Sequence, residues 1–286
     1  MATRKARAEV GPIAFDTPQD GEVLQGIGLE SVFRVAGYLG ETEIGHGSSF
    51  VLNHEVTEEG VRLWCLTNLH VARVILKLHH CFYAFSRSGA PDDLVTNAPA
   101  GLRVYVGEST IPVDSLVVPK GQFFKPEHEE HLDFAIFSFT VPLDRQTRYF
   151  PFNKNSKINA GSKAYAIGYP FIMNLSIADG LVSRIYKDGD GDAERKSGAD
   201  IGFWKWGIQH NIAINEGNSG GPTINELGVV IGISTYFYRN KDGLKFSIDA
   251  SSIYEFISDK SNLEEITIQP LVRKLALRAI ESARYG

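Results

Sequence analysis

Cysteine is scarce, with only Cys65 and Cys81 in 286 residues. Two thiols cannot form the disulfide lattice on which small extracellular scaffolds depend. Both read as small buried apolar side chains, reduced rather than paired. No run of 18 or more apolar residues occurs, so no membrane span is expected. An excess of one charge is also missing: 29 Lys and Arg against 34 Asp and Glu leave a formal −5, which gives no general reason to expect nucleic-acid binding. The stretch from Met1 to Gln25 has no continuous apolar segment of the kind an export signal needs. Residues 1–26 therefore read as a flexible tail, and the expected location is cytoplasmic.

Glycine is plentiful, at 28 residues, and short apolar runs bounded by turn residues dominate from Ser31 to Ile248. Ser48 to Asn53 and Val61 to Thr67 read as two strands joined through a polar hairpin loop. Val71 to His80 reads as a short helix, with Val71, Val74, Ile75 and Leu78 at helical spacing. The runs beginning at Leu102, Ile111 and Phe134 continue the strand pattern. A polar break from Pro142 to Asn159 separates a second half, whose strands begin at Lys163, Met173, Gly180, Gly228 and Leu244. Regular short strands of this kind imply an all-β sandwich or barrel rather than a parallel α/β fold. Near the C-terminus, Ser251 to Ser258 reads as a helix capped by Ser251 or Ser252. A second helix is expected over Pro270 to Arg284, with Leu271, Leu275 and Ala279 on one stripe and Val272 and Ala276 beside it.

The chemistry is concentrated in Asn215-Glu-Gly-Asn-Ser-Gly-Gly-Pro222. Glycines on both sides of a serine permit a tight backbone path that can aim the amides of Gly217 and Ser219 at one spot, with Asn218 between them. Two converging amides stabilise an oxyanion during acyl transfer. A serine hydroxyl needs a base to become a nucleophile. Leu66-Thr-Asn-Leu-His-Val offers His70, and His131-Leu-Asp-Phe-Ala-Ile offers Asp133. The order His, Asp, Ser is one of the known ways to assemble such a triad.

With these segments in register, the chain resembles the trypsin-like serine peptidases, and within them the HtrA/Deg branch. Gly45-His-Gly-Ser-Ser-Phe-Val, the His70 and Asp133 segments, Ala164-Tyr-Ala-Ile-Gly-Tyr-Pro-Phe, Gly180-Leu-Val-Ser, Ile208 to Pro222 and Gly228-Val-Val-Ile-Gly-Ile all match in order. The resemblance implies two six-stranded antiparallel β-barrels with C-terminal helices. The protease domain would cover 27–262, with barrel 1 at about 30–145 and barrel 2 at about 160–250, followed by a helix over 263–286. It also implies roles: His70, Asp133 and Ser219 catalytic, and Gly217, Asn218 and Ser219 at the oxyanion. Two departures stand out. The spacing of 63 between His70 and Asp133 is long, which suggests an insertion near His79 to Ala100. Too few residues follow Asn262 for the PDZ-like module of that branch.

Cleavage after Arg or Lys would need an acid six residues before the serine, and Ala213 stands there, followed by Ile214. With Thr235, Tyr236 and Phe237 expected on the opposite wall, the substrate pocket should take a small or medium apolar residue before the cut. No cofactor and no metal are expected. The segments His79-His80-Cys81 and His128-Glu-Glu-His131 lack a four-ligand spacing. Asp188-Gly-Asp-Gly-Asp192 lacks the glycine and glutamate of a calcium loop. The expected function is endopeptidase action on proteins or peptides through an acyl-enzyme. Loops at His79 to Ala100 and Lys187 to Ile201, or a regulatory protein partner, are candidates for control. The competing reading is a pseudoprotease or binding scaffold on the same fold.

Overall fold

Strands make up most of the elements, and several are buried on both faces. The architecture comes from a computed structural model that describes residues 9–13, 15–125, 132–154, 158–171, 174–186, 207–237 and 245–285, with the side chains of 236 and 237 outside that set. The Asp188 to Asp192 segment, His128 to His131 and the control loop at 187–201 lie outside the described residues.

The N-terminal half contributes β1 (Val10–Pro12), α1 (Gly21–Ser31), β2 (Val32–Leu39), β3 (Thr42–Val56), β4 (Val61–Thr67), α2 (Leu69–Ala72), α3 (Leu78–Arg87), α4 (Asp92–Thr96), β5 (Ala100–Val106), β6 (Ser109–Val113), β7 (Ser115–Pro119) and β8 (Ala135–Val141). After β9 (Thr147–Tyr149) come β10 (Lys163–Gly168), β11 (Ser176–Ile185), β12 (Gly207–His210), β13 (Pro222–Asn225), β14 (Val230–Phe237), β15 (Lys245–Asp249), α5 (Ala250–Ser258), β16 (Leu263–Thr267) and α6 (Ile268–Tyr285).

The second half closes into a six-stranded antiparallel barrel in the order β10-β11-β12-β15-β14-β13. The first half differs from the expected six-stranded barrel. It is an eight-stranded sheet in the order β16-β7-β8-β4-β3-β2-β5-β6. The free side of β7 pairs with β16 over five residue positions, Leu263↔Pro119 to Thr267↔Ser115, rather than with the far edge at β6. The C-terminal segment thus extends the sheet instead of the sheet closing on itself.

Three other expectations need correction. The segment read as a flexible tail contains β1 and the start of α1: Leu24 is fully buried, and Asp20 caps the helix by accepting from Val23 N–H at 3.0 Å. The helix at the C-terminal side of barrel 2 is capped by Asp249, whose carboxylate accepts from Ser252 N–H at 2.9 Å, and not by Ser251 or Ser252. The insertion after His79 is folded. It forms α3 and α4, and Leu78, Phe82 and Val95 join Leu271, Leu275, Ala276 and Ala279 of α6 in one apolar cluster. The expected stripe of α6 is the face buried there.

Candidate active site

Strand pairing assembles the first part of the site. β4 and β8 run antiparallel with Thr67 opposite Ala135, so residues just beyond the C-terminal end of β4 meet those just before β8. His70 lies in α2 directly after β4, and Asp133 lies two residues before β8. The Asp133 carboxylate accepts from the His70 backbone N–H at 2.8 Å and lies 2.6 Å from His70 Nδ1. It also accepts from the Thr235 hydroxyl at 2.7 Å, and its backbone carbonyl accepts from the Asn68 side-chain amide at 2.9 Å. Burial pushes the Asp133 carboxyl upward, but the charge of His70 and the hydrogen bonds from His70 and Thr235 outweigh this and hold it below its ordinary value. Asp133 is therefore an ionised acceptor, and the Nδ1 facing it carries the imidazole proton. The unprotonated position of the neutral ring is then Nε2.

Ser219 stands in the turn between β12 and β13. Its hydroxyl lies 3.4 Å from the Thr235 carbonyl, so one residue touches both Asp133 and Ser219. On the other side the Ser219 carbonyl accepts from Ser48 N–H at 2.7 Å, which ties the turn to β3. Gly217 and Gly220 have φ of +96° and +88°, a left-handed region where a side chain is strained. A Cβ at Gly220 would also run into the Ser48 carbonyl and the Thr67 hydroxyl.

The orientation of the amides follows from the bonds around them. The Glu216 carbonyl accepts from Phe171 N–H at 2.6 Å. In a trans peptide the N–H points opposite to the C=O, so Gly217 N–H is turned away from Phe171. The Asn218 N–H is used within the turn, donating to Asn215 O at 3.0 Å. Neither the Gly217 nor the Ser219 N–H has a hydrogen-bond partner among the described residues. Two free amides flanking an occupied one, beside a serine hydroxyl, form a place where negative charge on an oxygen is stabilised.

The pocket candidates do not share one environment. Ala213 is exposed, whereas Ile214 is buried with Ile208, Ile212 and Val182 in the barrel core. Ile214 thus packs into the barrel interior while Ala213 faces outward. Thr235 turns its hydroxyl to Asp133. Tyr236 and Phe237 lie on β14, and their side chains are outside the described residues.

Sequence reasoning missed several supporting residues. Asn68 and the hydroxyl of Thr235 brace Asp133. Ser48 donates its hydroxyl to Gly217 O at 2.7 Å and accepts from Tyr169 N–H at 2.9 Å. The signal for Asn68 was its place two residues before His70; Ser48 carried no signal beyond a glycine-rich strand. Both cysteines are free thiols, and burial pushes the Cys65 pKa well up. Among the described residues no cluster of three metal-ligating side chains occurs, and no helix is long and apolar enough to cross a membrane.

Comparison with known proteins gives consistent findings. The family model described as trypsin-like peptidase domain matches residues 47–233. Mouse serine protease HTRA4 is 28% identical over 188 residues, covering 65% of this chain and 36% of that protein. A probable periplasmic serine endoprotease, DegP-like, from Brucella suis is 29% identical over 156 residues, covering 50% and 28%. The chain thus spans about a third of the length of these relatives. Among solved structures, a serine endoprotease from Yersinia pestis superposes with a TM-score of 0.51 at 18% identity, covering 85% of this chain and 67% of that one. The HtrA-type protease AlgW with a tripeptide gives 0.53 at 18%, covering 85% and 64%. At such identities these structures speak for the fold.

Proposed function

Because the chain belongs to the trypsin-like peptidase family, we propose that it is a serine endopeptidase using Ser219 as nucleophile, His70 as general base and Asp133 as the group that orients His70. The observation that carries this reading is the double engagement of Asp133 with the backbone and ring of His70, at 2.8 and 2.6 Å, next to a serine whose own N–H and that of Gly217 have no partner among the described residues.

In this reading the Ser219 hydroxyl attacks the scissile carbonyl carbon while His70 Nε2 takes its proton. The carbonyl oxygen becomes an oxyanion between the Gly217 and Ser219 amides. His70 then returns the proton to the leaving amine, and the peptide C–N bond breaks to give an acyl-enzyme. Water, deprotonated by the same imidazole, cleaves that ester and restores the hydroxyl. Ionised Asp133 stabilises the imidazolium at each stage, and Thr235 and Asn68 keep Asp133 in place. Uncharged Ala213, at the position where cleavage after Arg or Lys would call for an acid, supports cleavage after a small or medium apolar residue.

A fluorophosphonate probe should label the wild-type chain on Ser219 and leave Ser219→Ala unlabelled. A cleavage profile on a peptide library tests the preference separately. Labelling that persists in Ser219→Ala, or no labelling and no hydrolysis of any denatured protein by the wild type, refutes the assignment.

A further inference from the structure

His46 lies on β3 two residues before Ser48, so both side chains leave the same face of the strand. That face meets Gly217. Ser48 holds the Gly217 carbonyl through its hydroxyl at 2.7 Å. A Cβ on Gly217 would come within 2.9 Å of His46 Nε2, so the imidazole edge, with the Tyr169 carbonyl, closes the space beside the Gly217 Cα. One face of one strand thus grips the same glycine at two points.

The ring is itself fixed from behind. His46 Nδ1 lies 2.9 Å from Glu43 Oε1. Glu43 accepts from Arg34 Nη2 at 2.5 and 2.6 Å and from the Tyr105 hydroxyl at 3.2 Å. Arg34 also sits over the Tyr105 ring, with its Cζ 4.6 Å from the centroid. The Glu43 contact holds the ring by its Nδ1 edge and leaves the Nε2 edge facing Gly217. Nε2 is buried and has no hydrogen-bond partner among the described residues. A polar atom in that state is costly unless its position serves another purpose. The contact it makes is with the residue whose amide is one half of the oxyanion site.

We propose that His46 is a positioning residue for the oxyanion hole, an imidazole wedge braced by Glu43 and Arg34 that fixes the Gly217 peptide with its N–H aimed at the reacting oxygen. The proposal rests on the endopeptidase reading above. Gly217, at φ +96°, has no side chain to anchor it. Its carbonyl is held by Ser48, and its Cα is held by the ring. Without the wedge the Glu216–Gly217 peptide keeps the Phe171 N–H bond to the Glu216 carbonyl but loses its support on the Gly217 Cα side, and an oxyanion donor that tilts about that bond loses its directed stabilisation of the transition state. Ground-state binding along the substrate backbone is not touched, so the effect belongs in kcat.

The test compares wild type, His46→Ala, Glu43→Ala and the double variant by peptide hydrolysis, by the affinity of a peptidyl boronic acid, and by thermal melting to verify folding. His46→Ala should lower kcat on the order of tenfold with KM little changed, and weaken the boronate by a similar factor. Glu43→Ala should act in the same direction, and the double variant should lose no more than His46→Ala alone, because both act through one ring. His46→Gln, which keeps side-chain bulk beside Gly217 and a polar group near Glu43, should recover part of the loss and serves if the alanine variant melts early. Wild-type kcat and boronate affinity in a folded His46→Ala, or additive losses in the double variant, overturn the proposal while leaving the endopeptidase reading intact. A wild-type chain that neither labels nor hydrolyses overturns that reading first.

Discussion

Acid should destabilise this chain through one internal histidine. His210 is fully buried on β12. Its Nε2 lies 3.0 Å from the Ser247 hydroxyl, Ser247 lies 2.6 Å from the Thr223 hydroxyl, and Thr223 lies 3.1 Å from the Ser234 hydroxyl. Burial, and then the positive charge of Lys245, lower the His210 pKa from 6.5 to about 4. In the folded chain the ring therefore stays neutral as pH falls toward 4, while in the unfolded chain it protonates near its ordinary value. The unfolded state takes up the proton first, so the stability linked to His210 is complete above pH 6.5 and declines as pH drops through the window from 6.5 to 4. At about 1.4 kcal/mol per pH unit the loss is about 2 kcal/mol by pH 5 and about 3 kcal/mol by pH 4.

Carboxylates titrate at the lower end of that window, so the measurement is a difference. Urea unfolding followed by tryptophan fluorescence, from pH 7 to pH 5, is compared between wild type and His210→Gln. The glutamine keeps a hydrogen-bonding group near Ser247, does not titrate, and leaves every carboxylate in place. The wild type should lose about 2 kcal/mol more than the variant over this range, because only the wild-type unfolded chain gains the proton. Parallel pH profiles for the two proteins would refute the argument, since they would mean that the imidazole is protonated equally readily in both states. The outcome also bears on the site: Ser234, at the end of the hydroxyl chain, accepts from Gly220 N–H and donates to Gly221 O at 2.9 Å each, directly after Ser219.

Four other outcomes are expected. Asp133→Asn should lower kcat by roughly four orders of magnitude, since an amide at that place favours the wrong tautomer of His70; retention of activity within tenfold would exclude the assigned role. Thr235→Val removes one hydrogen bond to a buried carboxylate and should cost about 1–3 kcal/mol of stability and lower kcat, read by urea unfolding and peptide hydrolysis; unchanged values in both would show that the bond is dispensable. Cys81, partly exposed, should react with an aromatic disulfide in the native protein, while Cys65 should react only after unfolding; equal rates for the two would contradict the burial of Cys65. Leu275→Ala on α6 should cost about 2–4 kcal/mol by urea unfolding, because the side chain is buried against the helices that follow His70; a cost under 1 kcal/mol would mean that α6 is only loosely attached.

The parts of the molecule legible in the sequence are those fixed by local rules. The stripe of α6 follows from helical spacing alone, and the buried faces of the strands follow from alternation. The site motifs were legible because their chemistry demands particular residue types: glycine where φ is near +90°, a histidine after a strand, an aspartate before one. What was not legible depends on non-local pairing. Nothing in Leu263-Glu-Glu-Ile-Thr distinguishes a strand that joins β7 from a linker, and that choice decides whether the first sheet closes. Leu24 fell in the segment read as a tail, and it is a second-barrel surface offering Ile167 and Leu175 to the neighbouring Gly28 that buries one face of this helix. The same limit applies at the site. Thr235 read as a pocket wall from its place after the strand ending at Ser234, but the direction of its hydroxyl was set by Asp133, 102 positions away. His46 read as one letter in a glycine-rich strand, although its neighbour Gly217 lies in the other half of the chain. Residue types that the reaction requires can be recognised from local context. The residues that hold them in place need only shape and one hydrogen bond, which many residue types supply, so they become visible when the two halves of the chain are brought together.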